Sequence, residues 1–244
     1  MFPIRDHNPS ARRPYLTWAI IAANIAMFLL TLPAGQYYPP LWEELALYPA
    51  AVMQGAYLQG LVTHMFLHAG LMHLAGNMLF LWVFGDNLED QLGRAGFAAF
   101  YLLGGLAAAA AQIAADPGSA VPMVGASGAI AGVMGGYLLL FPRARVDVLF
   151  IFIVFFKIIP IPAWVVLGVW FGLQLVNGVV SDQGAGVAYW AHAGGFAAGV
   201  LLMLPHWLKN GGPGYWGRTA GHPPHPETEY RRSTIPVVPR RKRF

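Results

Sequence analysis

The sequence predicts an all-α membrane protein, a bundle of six transmembrane helices with a long outer loop between helices 1 and 2. Three observations predict it: an apolar composition, six apolar segments of near-spanning length, and basic residues confined to alternate connections. Of 244 residues, 57% are hydrophobic and only 11% are charged, whereas a soluble domain carries roughly 25% charged residues. This length holds one compact membrane domain plus tails. The chain has no cysteine, which excludes disulfides and thiolate metal sites.

A helix crossing a hydrocarbon core of about 30 Å needs around 20 mostly apolar residues. The segments that come close are 15–32, 71–84 with polar flanks, 97–115, 127–141, 163–180 and 188–204. The first follows Arg5, Arg12 and Arg13 as a signal peptide would. Its run is longer than a typical signal core, however, and Pro33-Ala34 makes a poor cleavage site, so an uncleaved first span is expected. A further apolar stretch, 146–159, is short, rich in Phe and β-branched residues, and followed by Pro160 and Pro162. It reads as an interfacial or hairpin connection. Residues 1–14 are expected to be an N-terminal tail, 15–206 the membrane domain, and 207–244 a flexible, basic, Pro/Gly-rich tail.

Orientation follows from charge. Every Lys and Arg lies in the N-tail, near Arg94, in the connection with Arg143, Arg145 and Lys157, or in the C-tail that ends in Arg240, Arg241, Lys242 and Arg243. The alternate connections, 33–70, 116–126 and 181–187, have none, though they carry Glu43, Glu44, Asp116 and Asp182. By the positive-inside rule both tails are cytoplasmic and those three connections face outward. The net charge of +4 is thus topological, and nucleic-acid binding is not expected.

This orientation sets Ser127 at the outer start of the fourth span, His192 a turn into the sixth, and His73 and Asn77 in the first two turns of the second. Polar side chains at that depth are costly and mark function. Gly128, Gly132 and Gly136 recur on the fourth span, and His192, Gly195 and Gly199 share one face of the sixth. Small residues at this spacing let helices approach closely in lipid, which would bring Ser127 beside His192. A serine needs an adjacent base to act as nucleophile, and a neutral imidazole supplies one. No carboxylate lies at that depth, so the arrangement reads as a dyad. A free N–H at the start of the Ser127 helix, with His73 and Asn77 side chains, would stabilise an oxyanion. His64 and His68 would line and cap a wet outer cavity.

Each feature alone has a plainer meaning. Intramembrane serines often bond back to the i−4 carbonyl, regularly spaced glycines serve packing, and a lone histidine can be a satisfied core residue. His64, His68 and His73 could also bind a metal, but there is no His-Glu-x-x-His pattern, and no metal is expected. Their agreement in depth, face and residue type favours catalysis.

These residues carry a resemblance. His64, His68, His73-Leu74-Ala75-Gly76-Asn77, Gly85-Asp86-Asn87-Leu88-Glu89, Gly125-Ala126-Ser127-Gly128 and Ala191-His192 with Gly195 and Gly199 together resemble the rhomboid intramembrane serine proteases, over residues 15–204. The resemblance implies a six-helix fold, Ser127 as nucleophile, His192 as general base, and His73 and Asn77 as oxyanion donors. It further implies single-span membrane protein substrates cut near the outer end of their helix, and no cofactor. An integral multi-pass protein of a bacterial inner membrane is then expected. Two positions depart from the pattern. Gln59-Gly60 stands where many members have Trp-Arg, which puts the packing of the outer loop in question. Ala131 stands where an aromatic often stacks on the histidine, which leaves other contacts, such as Trp190 or Tyr189, to orient the base. A non-catalytic binder of the same fold usually loses the serine or the histidine. A small transporter would show an internal repeat, and none is convincing here.

Overall fold

The computed structural model describes residues 2–32, 39–152, 155–180 and 187–224. The basic cluster at the C-terminus, Asp182 and most of the 181–187 connection lie outside these residues. The structure is mostly helical: α1 (Tyr15–Leu30), α2 (Pro40–Leu45), α3 (Pro49–Met53), α4 (Gly60–Thr63), α5 (Leu71–Ala115), α6 (Ser127–Leu140), α7 (Ala163–Val180), α8 (Tyr189–Lys209) and α9 (Pro213–Thr219). By length and composition, α5 and α7 could each cross a membrane, while α1 and α6 are shorter apolar helices.

The segments 71–84 and 97–115 lie in two helices that meet at a kink and are numbered together as α5. They are the two arms of α5, broken only at Gly93 (φ 69°, ψ 168°). Positive φ is disfavoured for any residue with a Cβ, so a glycine takes the break. The polar stretch just before the kink anchors the start of α1. Glu89, buried at 4% exposure, accepts from the Leu16 N–H at 3.0 Å, the Thr17 N–H at 2.7 Å and the Thr17 hydroxyl at 2.8 Å. A carboxylate from another helix thus serves the first N–H groups of α1, which have no partner within their own helix. The Arg94 guanidinium lies over the Tyr15 ring, 4.8 Å from its centroid, and ties the same corner.

An all-α fold does not account for three strands, β1 (Phe2–Asp6), β2 (Arg145–Phe152) and β3 (Phe155–Pro162), which form an antiparallel sheet in that order. The 146–159 stretch is a hairpin: Arg145 pairs with Pro162 and Phe150 with Lys157. Part of the N-terminal tail completes the sheet, with Phe2 opposite Leu149 and Asp6 opposite Val146. Arg5 and His7 both reach Asp147, at 2.6 and 2.9 Å. The expected tail boundary at 206/207 falls inside α8, and Trp216 of α9 packs on Trp207, with ring centroids 4.8 Å apart.

α5, α6 and α8 form the centre, and glycines set their spacing. A Cβ at Gly195 would overlap the Gly128 carbonyl, and one at Gly199 would overlap the Gly132 carbonyl. Backbone therefore meets backbone along the α6–α8 seam, as small residues permit. Gly136 meets side chains and not backbone, those of Phe100 and Leu88 of α5 and Met203 of α8. Gly135, not singled out by spacing, faces the Phe196 carbonyl instead.

The connection before α5 is also built. Leu47 and Met123 exchange backbone hydrogen bonds at 3.1 and 2.8 Å, and the Ala50 N–H donates to the Ser119 carbonyl at 2.9 Å. Gln59 and Gly60 hold this loop in their own way. The Gln59 amide donates to the Glu44 carbonyl at 3.0 Å, and a Cβ at Gly60 would stand 2.5 Å from the Ala46 carbonyl oxygen.

Candidate active site

Ser127 opens α6, and His192 lies in the first turn of α8. The close α6–α8 seam below them draws these two helix starts together, and the Ser127 Oγ and His192 Nε2 are 2.8 Å apart. That is hydrogen-bond distance for a hydroxyl donating to a ring nitrogen. On its other side the imidazole Nδ1 is 2.8 Å from the Gln174 Oε1 of α7. Trp170, one turn earlier in α7, places its ring beside the imidazole, with centroids 5.7 Å apart and planes inclined at 37°. Trp190 lies elsewhere, its indole 3.2 Å from where a Cβ on Gly178 would stand. Sequence reasoning missed Gln174 and Trp170. The available signal was an amide and a large aromatic one turn apart in a span whose other polar side chain is Asn177.

The pair opens onto a cavity of about 640 Å³ lined by Ser127, His192, His73, Asn77, His64 and Trp170, among others. His73 and Asn77 project from the first two turns of α5. Asn77 is buried, and its Nδ2 has no hydrogen-bond partner, an uncommon condition for a buried amide. Gly125 has φ 125°. A Cβ on it would stand 2.8 Å from the His73 Nε2 and 3.5 Å from the Ser127 Oγ, so the missing side chain leaves a gap between those two groups. At the start of α6 the first N–H groups lack intrahelical acceptors and the dipole is positive. His73, Asn77 and this helix start thus line one cavity with the Ser127 hydroxyl.

His64 lines the cavity but is tied down. Its Nδ1 lies 2.7 Å from the Gly60 carbonyl, and its own carbonyl accepts from the Gly125 N–H at 2.9 Å. The connection before α5 thereby fixes the residue two before Ser127. His68 is buried against His73, ring to ring at 5.1 Å in a T-shaped contact. Gly128 sits against the Ala108 methyl of α5, and the Gln112 amide oxygen accepts from the Ala191 N–H at 3.2 Å. Both contacts fix α5 against the two helix starts.

Fold and site define a class: mostly helical proteins with a hydrogen-bonded serine–histidine pair on the wall of a cavity. The Rhomboid domain family matches residues 55–208. The chain belongs to the rhomboid family, whose members are embedded in membranes. It is 31% identical over 200 residues to the mitochondrial Rhomboid protein 1 of Saccharomyces cerevisiae, covering 76% of this chain and 51% of that one. It is 32% identical over 198 residues to the rhomboid protease GluP of Bacillus subtilis, covering 79% of this chain and 36% of that one. The chain thus spans about half or less of the length of these relatives.

Proposed function

We propose that this chain is an intramembrane serine endopeptidase that cuts transmembrane-helix substrates with a Ser127–His192 dyad. The supporting observation is the 2.8 Å contact between the Ser127 Oγ and the His192 Nε2, on the wall of a cavity also lined by Asn77, whose Nδ2 has no hydrogen-bond partner among the described residues. Six spans are read as α1, the two arms of α5, α6, α7 and α8. The sheet and both termini then face the cytoplasm of a bacterial inner membrane, and the cavity faces outward. Large apolar side chains exposed on α1 and α7, including Leu29, Leu30, Trp164 and Val176, suit contact with lipid.

The chemistry needs no cofactor. The Ser127 hydroxyl passes its proton to the His192 Nε2 as the oxygen attacks the scissile carbonyl carbon. Negative charge gathers on the carbonyl oxygen, where the α6 N-terminus, His73 and Asn77 meet it. The tetrahedral adduct collapses with cleavage of the C–N bond, and the imidazolium gives its proton to the departing amine. Water, activated by the same imidazole, then hydrolyses the Ser127 ester.

The test is cleavage of a single-span membrane protein by purified protein in liposomes, alongside labelling by a fluorophosphonate. Ser127→Ala and His192→Ala should each abolish both signals while the protein stays folded. Cleavage at the native rate by Ser127→Ala would remove the assignment.

A further inference from the structure

The edge of His192 turned away from Ser127 is as closely defined as the edge turned toward it. Gln174 is a buried amide in the apolar helix α7, and burial of an amide is costly unless its polar atoms are paired. Both are paired. The Nε2 donates to the Trp170 carbonyl at 3.4 Å, and the Oε1 faces the His192 Nδ1 at 2.8 Å. Turning the amide over would set its oxygen against the Trp170 carbonyl oxygen, two acceptors with no proton between them. The Gln174 oxygen can only accept, so the His192 Nδ1 carries the ring proton. The lone pair of Nε2 is thereby directed at the Ser127 hydroxyl.

We infer that Gln174 is a positioning residue, which fixes the tautomer and ring plane of His192 as the base for Ser127. This inference rests on the dyad reading. It extends that reading to three helices: α6 supplies the hydroxyl, α8 the imidazole, and α7 the amide that orients the imidazole. When Nε2 takes the Ser127 proton, the imidazolium donates from Nδ1 to the Gln174 oxygen. A neutral carbonyl favours that cation less than a carboxylate would, so the amide orients the base without holding it protonated. Trp170 completes the arrangement from the same helix by covering part of the ring.

The test compares full-length native protein with Gln174→Leu, which deletes the acceptor, and Gln174→Glu, which keeps an oxygen at the same reach. Separate kcat and KM values on a single-span substrate are read across pH, together with the ¹⁵N shifts of the His192 ring. Gln174→Leu should lower kcat by roughly 10- to 100-fold with KM little changed, a fraction of what a general base contributes, and should show a mixture of ring tautomers. Gln174→Glu should recover most of the activity and move the acid limb of kcat/KM to higher pH, because a carboxylate favours the imidazolium. If Gln174→Leu does not fold, the Gln174→Glu profile decides alone. Native kcat with a single Nδ1–H tautomer in Gln174→Leu, or an unmoved acid limb in Gln174→Glu, would overturn the inference. Ser127→Ala, run beside them, separates this failure from failure of the dyad itself.

Discussion

At the scale of single residues, the gap beside Gly125 gives Asn77 its meaning. Between the His73 ring and the Ser127 hydroxyl lies a space that any side chain at Gly125 would fill, and the Asn77 Nδ2 has no partner of its own. On the proposed mechanism, a buried donor left unpaired in the resting protein is ready for charge that exists only during the reaction, where it contributes most. Asn77→Ala should therefore lower kcat by about 100- to 1000-fold, the usual cost of one oxyanion donor. KM and the melting temperature should change little, because no ground-state bond of the Nδ2 is lost. Steady-state kinetics and a thermal melt in detergent check this. A rise in KM alone would assign Asn77 to substrate binding. That Ser127, His192, His73 and Asn77 would come to one cavity was legible because each is polar at an apolar helix start. Gln174 was not, because an amide in mid-span carries no periodic signal, and its pairing with His192 exists only once α7 and α8 are placed together.

At the scale of elements, the α6–α8 seam is where the spacing of small residues decides geometry. The repeat through Gly128, Gly132, Gly195 and Gly199 was legible because it follows the helical period. Which neighbour each glycine meets depends on the crossing angle, so Gly135 was missed and Gly136 meets side chains and not backbone. The hairpin was readable from its short length and its prolines. β1 was not, because strand pairing across more than 130 residues leaves no local trace in a pentapeptide. Gly199 tests the seam most directly, since its added Cβ would overlap the Gly132 backbone, which cannot swing aside as a side chain can. Gly199→Ala should destabilise the protein by about 1–3 kcal/mol, the usual cost of overpacking. Forcing the helices apart should also weaken fluorophosphonate labelling of Ser127. Gly168→Ala on α7, where nothing lies within 4 Å of the new Cβ, should leave both unchanged. Equal effects at the two positions would show that the seam does not set the dyad.

At the scale of the whole molecule, the sheet is held at the far end of α6 from Ser127 by two carboxyls that respond to acid in opposite ways. Asp6 ends β1, and its Oδ2 accepts from the Tyr137 hydroxyl at 2.8 Å and the Asn87 amide at 3.0 Å. Burial, reinforced by the nearby Asp86 carboxylate, raises its pKa well above the usual range despite those hydrogen bonds. Such a group contributes stability that is fully present below its unfolded value, about pH 4, and is lost as pH rises through the folded value. For Asp147 burial acts upward, but hydrogen bonds from His7 and Arg5 override it and hold the pKa below the usual range. Its contribution is present above the unfolded value and is lost as pH falls through the folded one. The two acids therefore confine the best anchoring of β1 to intermediate pH. Asp6→Asn keeps an oxygen acceptor and removes the ionisation, so its melting temperature at pH 8 should equal or exceed that of the native protein, and the advantage should shrink toward pH 5. Asp147→Asn should melt lower than the native protein at pH 7, with the difference fading in stronger acid as the native carboxylate is itself protonated. Melting curves from about pH 2 to about pH 9 in one detergent would show the two slopes. Parallel curves for both variants would mean that neither carboxyl changes its proton affinity on folding.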